Sequence, residues 1–241
     1  MIAFLTSSPC VYLAPRAILN PENDFIRNLQ GCLPSKPRCL FVCSSPDDYK
    51  FTDRVAEEMA AAFEEVGIPF STMTKLDRRN QCDARELIWR SDLIILSGGH
   101  VPTQNRFFRE IRLKEKLQNY QGVIVGISAG SMNAAGRVYV QPEEEGESSP
   151  EFKRFLPGLG ITDYNILPHY QQVKDYYLDG KRLFEEITYA DSMGECFFVF
   201  VDGTYLLAEN GRTELHGKAY CLQNGIMTQI SELGDTVLLK G

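Results

Sequence analysis

The sequence is poor in the residues that most often mark a function. It holds only three histidines, and no two stand at metal-ligand spacing, so neither a metal site nor metal catalysis is expected. It has no G-x-x-x-x-G-K-[ST] loop and no G-x-G-x-x-G turn, the glycine-rich cradles that bind phosphate, and no cofactor is expected. Basic residues are in the minority. The 25 Lys and Arg against 32 Asp and Glu leave a formal charge of -7, which argues against a nucleic-acid surface. Apolar runs such as Leu93-Ile94-Ile95-Leu96 are far too short to span a membrane. The opening residues, Met1 to Pro9, lack a basic stretch followed by a long apolar one, so no secretory leader is read and a cytoplasmic location is expected. The seven cysteines form no framework. Cys39 and Cys43 share a strand face but lie roughly 13 Å apart by strand geometry, too far for one ion or one disulfide. Reduced, buried thiols are the expectation.

What is present is ordinary globular material. At 241 residues, 44% hydrophobic and 24% charged, the chain can bury a sizeable core, and one domain over residues 1–241 is expected. Its first two-thirds alternates apolar strand-like runs (38–43, 69–73, 93–96 and 123–127) with helical spacing over 49–66, 83–90 and 107–117. That rhythm predicts an α/β fold, a mostly parallel sheet between two layers of helices. The last third changes character. Residues 196–201 and 204–208 flank Asp202-Gly203, a hairpin dipeptide, and Asn210-Gly211 and Asn224-Gly225 mark further tight turns, so C-terminal antiparallel hairpins are expected at one sheet edge. The run Glu143-Glu144-Glu145-Gly146-Glu147-Ser148-Ser149-Pro150 reads as an acidic, solvated loop.

The sharpest chemical signal is Gly126-Ile127-Ser128-Ala129-Gly130. It fits the G-x-S-x-G elbow, in which a serine sits on a strained strand-to-helix turn with its hydroxyl exposed. An apolar strand feeds it and a helix-forming stretch follows; a plain N-cap serine in a tight turn is the competing reading. An active serine needs a base. His100, after the third apolar run, and His169, in Pro168-His169, both follow strand-like segments and are candidates for the carboxyl-end rim of the sheet. His216 reads as an exposed hairpin residue. Gly98-Gly99 allows backbone N–H groups to approach a ligand closely, as an oxyanion hole requires, or is a simple turn.

Taken together, Gly98-Gly99-His100, Gln104, Gly126-Ile127-Ser128-Ala129-Gly130-Ser131, Pro168-His169 and Asp202-Gly203 resemble the peptidase E (aspartyl dipeptidase) and cyanophycinase family. The resemblance implies serine peptidases on a class I glutamine amidotransferase-like fold, a three-layer sandwich. It implies Ser128 as nucleophile, His169 as general base, Asp202 as triad acid with Glu209 as fallback, and the backbones of Gly99 and Ala129 as oxyanion donors. Gly98, His100 and Gln104 are expected to contact substrate, a small peptide and possibly an N-terminal acidic dipeptide. The basic residue that would receive an aspartyl side chain has no clear equivalent; Lys174, Lys181 and Arg182 are the candidates. A monomer or homodimer is expected.

Two other readings use the same residues. An α/β-hydrolase-type esterase would run serine, acid, late histidine, and so would need His216 with Asp163 or Asp191. A non-catalytic amidotransferase-like binding or sensor protein would keep the fold alone.

Overall fold

The computed structural model describes residues 1–13 and 16–239. In chain order, β1 (Ile2–Thr6) leads to α1 (Phe25–Cys32), β2 (Arg38–Val42), α2 (Tyr49–Glu65), β3 (Thr72–Leu76), α3 (Ala84–Trp89) and β4 (Leu93–Leu96). Then come α4 (Val101–Glu110), α5 (Leu113–Leu117), β5 (Val123–Ile127), the four-residue α6 (Ala129–Met132), β6 (Asn165–Leu167) and α7 (Tyr170–Val173). The chain closes with β7 (Cys196–Phe200), β8 (Tyr205–Glu209), β9 (Arg212–His216), β10 (Ala219–Gln223), β11 (Ile226–Ser231) and β12 (Thr236–Leu239).

Eight strands form one sheet in the order β12-β9-β8-β1-β5-β4-β2-β3. Strands β1 to β5 are mutually parallel, and β8, β9 and β12 extend the β1 side antiparallel. The parallel strands read as unbroken apolar runs because both faces are covered. Phe4, Phe41, Ile95 and Val125 pack with Phe25, Leu29, Ala56 and Phe63 of α1 and α2. Their neighbours Leu5, Leu40, Ile94 and Ile124 pack with Ile88, Phe107, Leu113 and Leu117 of α3 to α5. Alternation with a period of two thus supplies two cores from one set of strands. Each such side chain, fully buried, contributes about 1.5–3 kcal/mol.

A second sheet, β6-β7-β10-β11, shares a third apolar cluster with α6 through Ala129, Met132, Leu167, Phe197 and Val199. The short helix that follows Ser128 is therefore clamped between the two sheets. Among the described residues, no helix is long and apolar enough to cross a membrane.

Several expectations change. Asp202-Gly203 does form a turn, with Gly203 at φ 89°, but not a hairpin. The strand before it pairs with β6 and β10, while the strand after it pairs with β1 and β9, so the turn hands the chain from one sheet to the other. The reason is β1, to which the sequence reading assigned no element: its free edge takes β8 as partner. Asn210-Gly211 and Asn224-Gly225 do join paired strands. The helix expected over 107–117 starts earlier and breaks at Arg112, which is left-handed at φ 52°. The cysteines are free thiols, with Cys10, Cys39 and Cys43 buried but Cys82 exposed. His216 is not an exposed turn residue. It is buried, stacked on Tyr205 with ring centroids 4.7 Å apart.

Candidate active site

The chain segments that leave the carboxyl ends of β2, β4 and β5 meet at one rim of the main sheet, where open parallel sheets collect ligands. After β5 the backbone turns sharply: Ser128 adopts φ 50°, ψ -112°, outside the ordinary regions for a residue with a side chain. The turn is over-determined by its surroundings. The Ser128 N–H donates to Thr6 O (3.1 Å) and Ser7 O (3.0 Å), and the Ser131 hydroxyl donates to Thr6 O (2.8 Å), so the end of β1 holds the elbow from below.

The second glycine of the elbow is needed for close approach. A Cβ on Gly130 would lie 2.2 Å from the Leu96 carbonyl oxygen, which is backbone and cannot move aside. Gly130→Ala is therefore expected to destabilise the fold by about 1–3 kcal/mol, the usual range for overpacking. Urea unfolding measures this directly, and an unshifted midpoint would show that α6 and β4 are not locked together here.

His169 sits at the start of α7 in a left-handed conformation, φ 59°. Its backbone N–H donates to Ser7 Oγ (2.8 Å). That posture aims the ring between two groups: Nε2 lies 2.9 Å from Ser128 Oγ and Nδ1 lies 2.7 Å from Asp202 Oδ1. With Nδ1 protonated toward the carboxylate, Nε2 is the acceptor for the serine hydroxyl. Asp202 is itself held. Ser7 Oγ donates to Oδ1 (2.8 Å), Gln172 Nε2 donates to Oδ2 (2.7 Å), and the Asp202 N–H donates to Gln171 Oε1 (3.1 Å). Burial pushes this carboxyl up, but hydrogen bonding and charge from His169, with Ser7 and Gln171, outweigh it and leave the group below the ordinary carboxylate value. Ser7, Gln171 and Gln172 carried no local signal in the sequence, since their role exists only once distant segments converge.

Gly99 adopts φ 150°, and a Cβ there would lie 2.3 Å from Ser44 Oγ. Among the described residues the N–H groups of Gly99 and Ala129 donate to no protein acceptor. Gly98 packs on Ser128, a Cβ at that position being 3.5 Å from the serine Cβ.

Gln104 and His100, the other two expected substrate contacts, both have protein partners. Gln104 is fully buried: it donates to Ser97 O (2.7 Å) and accepts from Asn133 Nδ2 (3.0 Å), so it braces the turn before Gly98. His100 has both ring nitrogens engaged, by Thr103 Oγ1 and Glu147 Oε1, each at 2.9 Å. The stretch 143–150 exposes its acidic residues Glu143, Glu144 and Glu145 to solvent, as expected, and is also pinned over the site. Glu147 Oε2 accepts the N–H groups of Glu143 (2.8 Å) and Glu144 (3.1 Å), and Asp179 accepts those of Gly146 and Ser148. Among the described residues His100, Glu144 and Glu147 bring ligand atoms within 4.8 Å of one another, yet both Glu147 oxygens already accept hydrogen bonds, which makes this cluster a staple for the loop.

The esterase arrangement does not assemble. The His216 ring, on β9, is separated from Ser128, which follows β5, by β8 and β1, and His216 is held by Glu214 and Thr236. Asp191 is taken by Arg154 and Tyr139, and Asp163 is exposed near the far end of the sheet, beside Met1 and Ala208. Glu209, the fallback acid, is at the opposite end of β8 from Asp202.

Comparison with known proteins agrees with this architecture. A crystal structure of a peptidase from an acI-B1 actinobacterium superposes with a TM-score of 0.65 over 99% of this chain and 96% of that one, at 16% identity. A protein assigned as peptidase E from Listeria monocytogenes EGD-e gives 0.58 over 95% and 98%, at 14% identity. At such identities the likeness speaks for the fold alone, and no curated protein matches the sequence. The sequence profile of Peptidase family S51, however, matches residues 17–215, a span that takes in the elbow, the Pro-His segment and the turn between the sheets. The chain belongs to peptidase family S51.

Proposed function

We propose that the chain is a serine peptidase that hydrolyses small peptides through Ser128, His169 and Asp202. Family membership supports a peptidase. The observation that carries the finer reading is the His169 ring, whose two nitrogens reach Ser128 Oγ and Asp202 Oδ1 at 2.9 and 2.7 Å.

In this mechanism Ser128 Oγ attacks the scissile carbonyl carbon as its proton passes to His169 Nε2. Asp202 stabilises the imidazolium that forms, and the N–H groups of Gly99 and Ala129 receive the developing oxyanion. Collapse of the tetrahedral species breaks the C–N bond, and His169 returns the proton to the leaving amine. The acyl group remains on Ser128. Water, deprotonated by the same imidazole, then releases it and regenerates the hydroxyl. Action on a small peptide, as a cytoplasmic monomer or homodimer, is part of the same proposal.

The family resemblance makes N-terminal acidic dipeptides one substrate class within this reading. It would need a cation beside Ser128. Lys174 pairs with Asp175 and Arg182 with Glu185, and among the described residues no Lys or Arg lines the cavity at the serine.

Labelling with a fluorophosphonate tests the mechanism without any knowledge of substrate. One adduct should form, on Ser128, and a chelator should leave both labelling and peptide hydrolysis unchanged. Labelling that persists in Ser128→Ala, or activity abolished by chelation and restored by zinc, would overturn the proposal.

A further inference from the structure

A cavity of about 370 Å³ opens beside Ser128 and His169. Its walls include the apolar side chains of Met132, Pro142, Pro168, Val173 and Leu183, with Tyr176 and with Gln141, whose amide nitrogen donates to Thr188 Oγ1 (2.9 Å). Among the described residues, the one carboxylate on the lining is that of Glu143. Neither its position nor its surroundings are accidental. The loop that carries it is fixed to the turn that follows β4 by the His100–Glu147 contact, and Arg154 donates to Glu147 O (2.8 Å) from behind. His100 immediately follows Gly99, so the segment proposed to receive the oxyanion and the segment bearing Glu143 form one connected unit.

These features decide what the cavity admits. Ser128 itself lines this cavity, so the side chain and α-nitrogen of an acyl group on its hydroxyl would have these walls as neighbours. A carboxylate side chain there would be desolvated against largely apolar walls and would face a second carboxylate, with no Lys or Arg on the lining, among the described residues, to offset either cost. An apolar side chain loses nothing, and a free α-ammonium finds a partner. We infer that the site takes peptides whose first residue is apolar, with Glu143 binding the free α-amino group, so that cleavage follows the first residue. Burial pushes the Glu143 carboxyl up to about 7, with His100 pulling it back, although the side chain keeps solvent-facing surface that limits this push. An ammonium beside it favours the ionised form.

The inference rests on the serine peptidase reading, and the experiment separates the two. Wild-type protein is first labelled with the fluorophosphonate and then assayed on Leu-first, Asp-first and N-acetyl-Leu-first peptides of otherwise identical sequence. Leu-first peptides should exceed Asp-first ones in kcat/KM by about tenfold or more, and acetylation should cost about as much. Glu143→Gln should collapse the difference between free and acetylated substrates. Tyr176→Arg, at a position 48% exposed where folding tolerates a charge, should raise kcat/KM for Asp-first peptides. If Ser128 labels but Asp-first peptides are preferred, if acetylation is neutral, or if no peptide of either class is cleaved, the inference fails while the nucleophile stands. Absence of labelling removes the mechanism itself.

Discussion

Ser128→Ala should lower kcat by about a thousandfold or more, with urea unfolding shifted by less than about 0.5 kcal/mol. The split follows from the geometry. The hydroxyl is directed at His169 Nε2, whereas the conformation of the residue is maintained by its N–H, which alanine retains. His169 needs a more careful substitution, because its backbone is left-handed at φ 59°, a conformation in which histidine and asparagine are enriched and alanine is not. Asparagine tolerates that conformation, so His169→Asn isolates the chemistry. Its kcat should fall nearly as far as in Ser128→Ala, and the double variant should lose little more, since the groups act as one unit. Retention of a tenth of wild-type kcat in His169→Asn would remove the ring from the mechanism.

The second large effect is expected at Asp202. Asp202→Asn conserves shape but replaces one acceptor oxygen by a donor, and Oδ1 and Oδ2 together accept from Ser7, Gln172 and the His169 ring. The amide can meet the ring with its nitrogen, which forces Nδ1 to accept and places the ring proton on Nε2, facing the serine. In that tautomer His169 cannot take the hydroxyl proton, and kcat should fall by about 10³–10⁴. Stability carries a second signature. The folded carboxyl lies below its ordinary value, so its contribution is present above the unfolded pKa near 4 and is lost as pH falls through the folded value. Wild type should therefore exceed Asp202→Asn in urea midpoint at pH 7 by more than it does near pH 2–3. A gap that widens on acidification would show that the carboxylate is not stabilised by its partners.

What could be read from the sequence divides along physical lines. Strands β4 and β5 announce themselves as apolar runs because both faces are buried, and the elbow does so because crowding at Gly130 restricts the residue types that fit. Those are local demands. The role of Asp202-Gly203 is not local: the dipeptide satisfies hairpin chemistry equally well whether the flanking strands pair with each other or with different sheets, and the choice is made by β1 and β6. Ser7 is the extreme case. Nothing in Thr6-Ser7-Ser8 marks a residue that binds both His169 N–H and Asp202, because those partners are 162 and 195 positions away. The acidic loop is solvated as its composition indicates, but the pinning of Glu147 by His100 and by the N–H groups of Glu143 and Glu144 is again a matter of tertiary contact.

The passage of the chain from one sheet to the other at Asp202 also orders events in time. Ser128 is synthesised 41 residues ahead of His169, and at about 5–20 residues per second the proposed nucleophile exists for seconds before its proposed base. The base in turn waits for Asp202, and Asp202 is seated only when β8 has closed against β1 near the start of the chain. Strand closure over such a separation is among the slowest contacts a chain makes. A nascent chain therefore holds the residues of the serine elbow before those of its proposed partners have been made. In the proposed mechanism hydrolytic competence waits for a contact between β1 and a strand some two hundred residues further on.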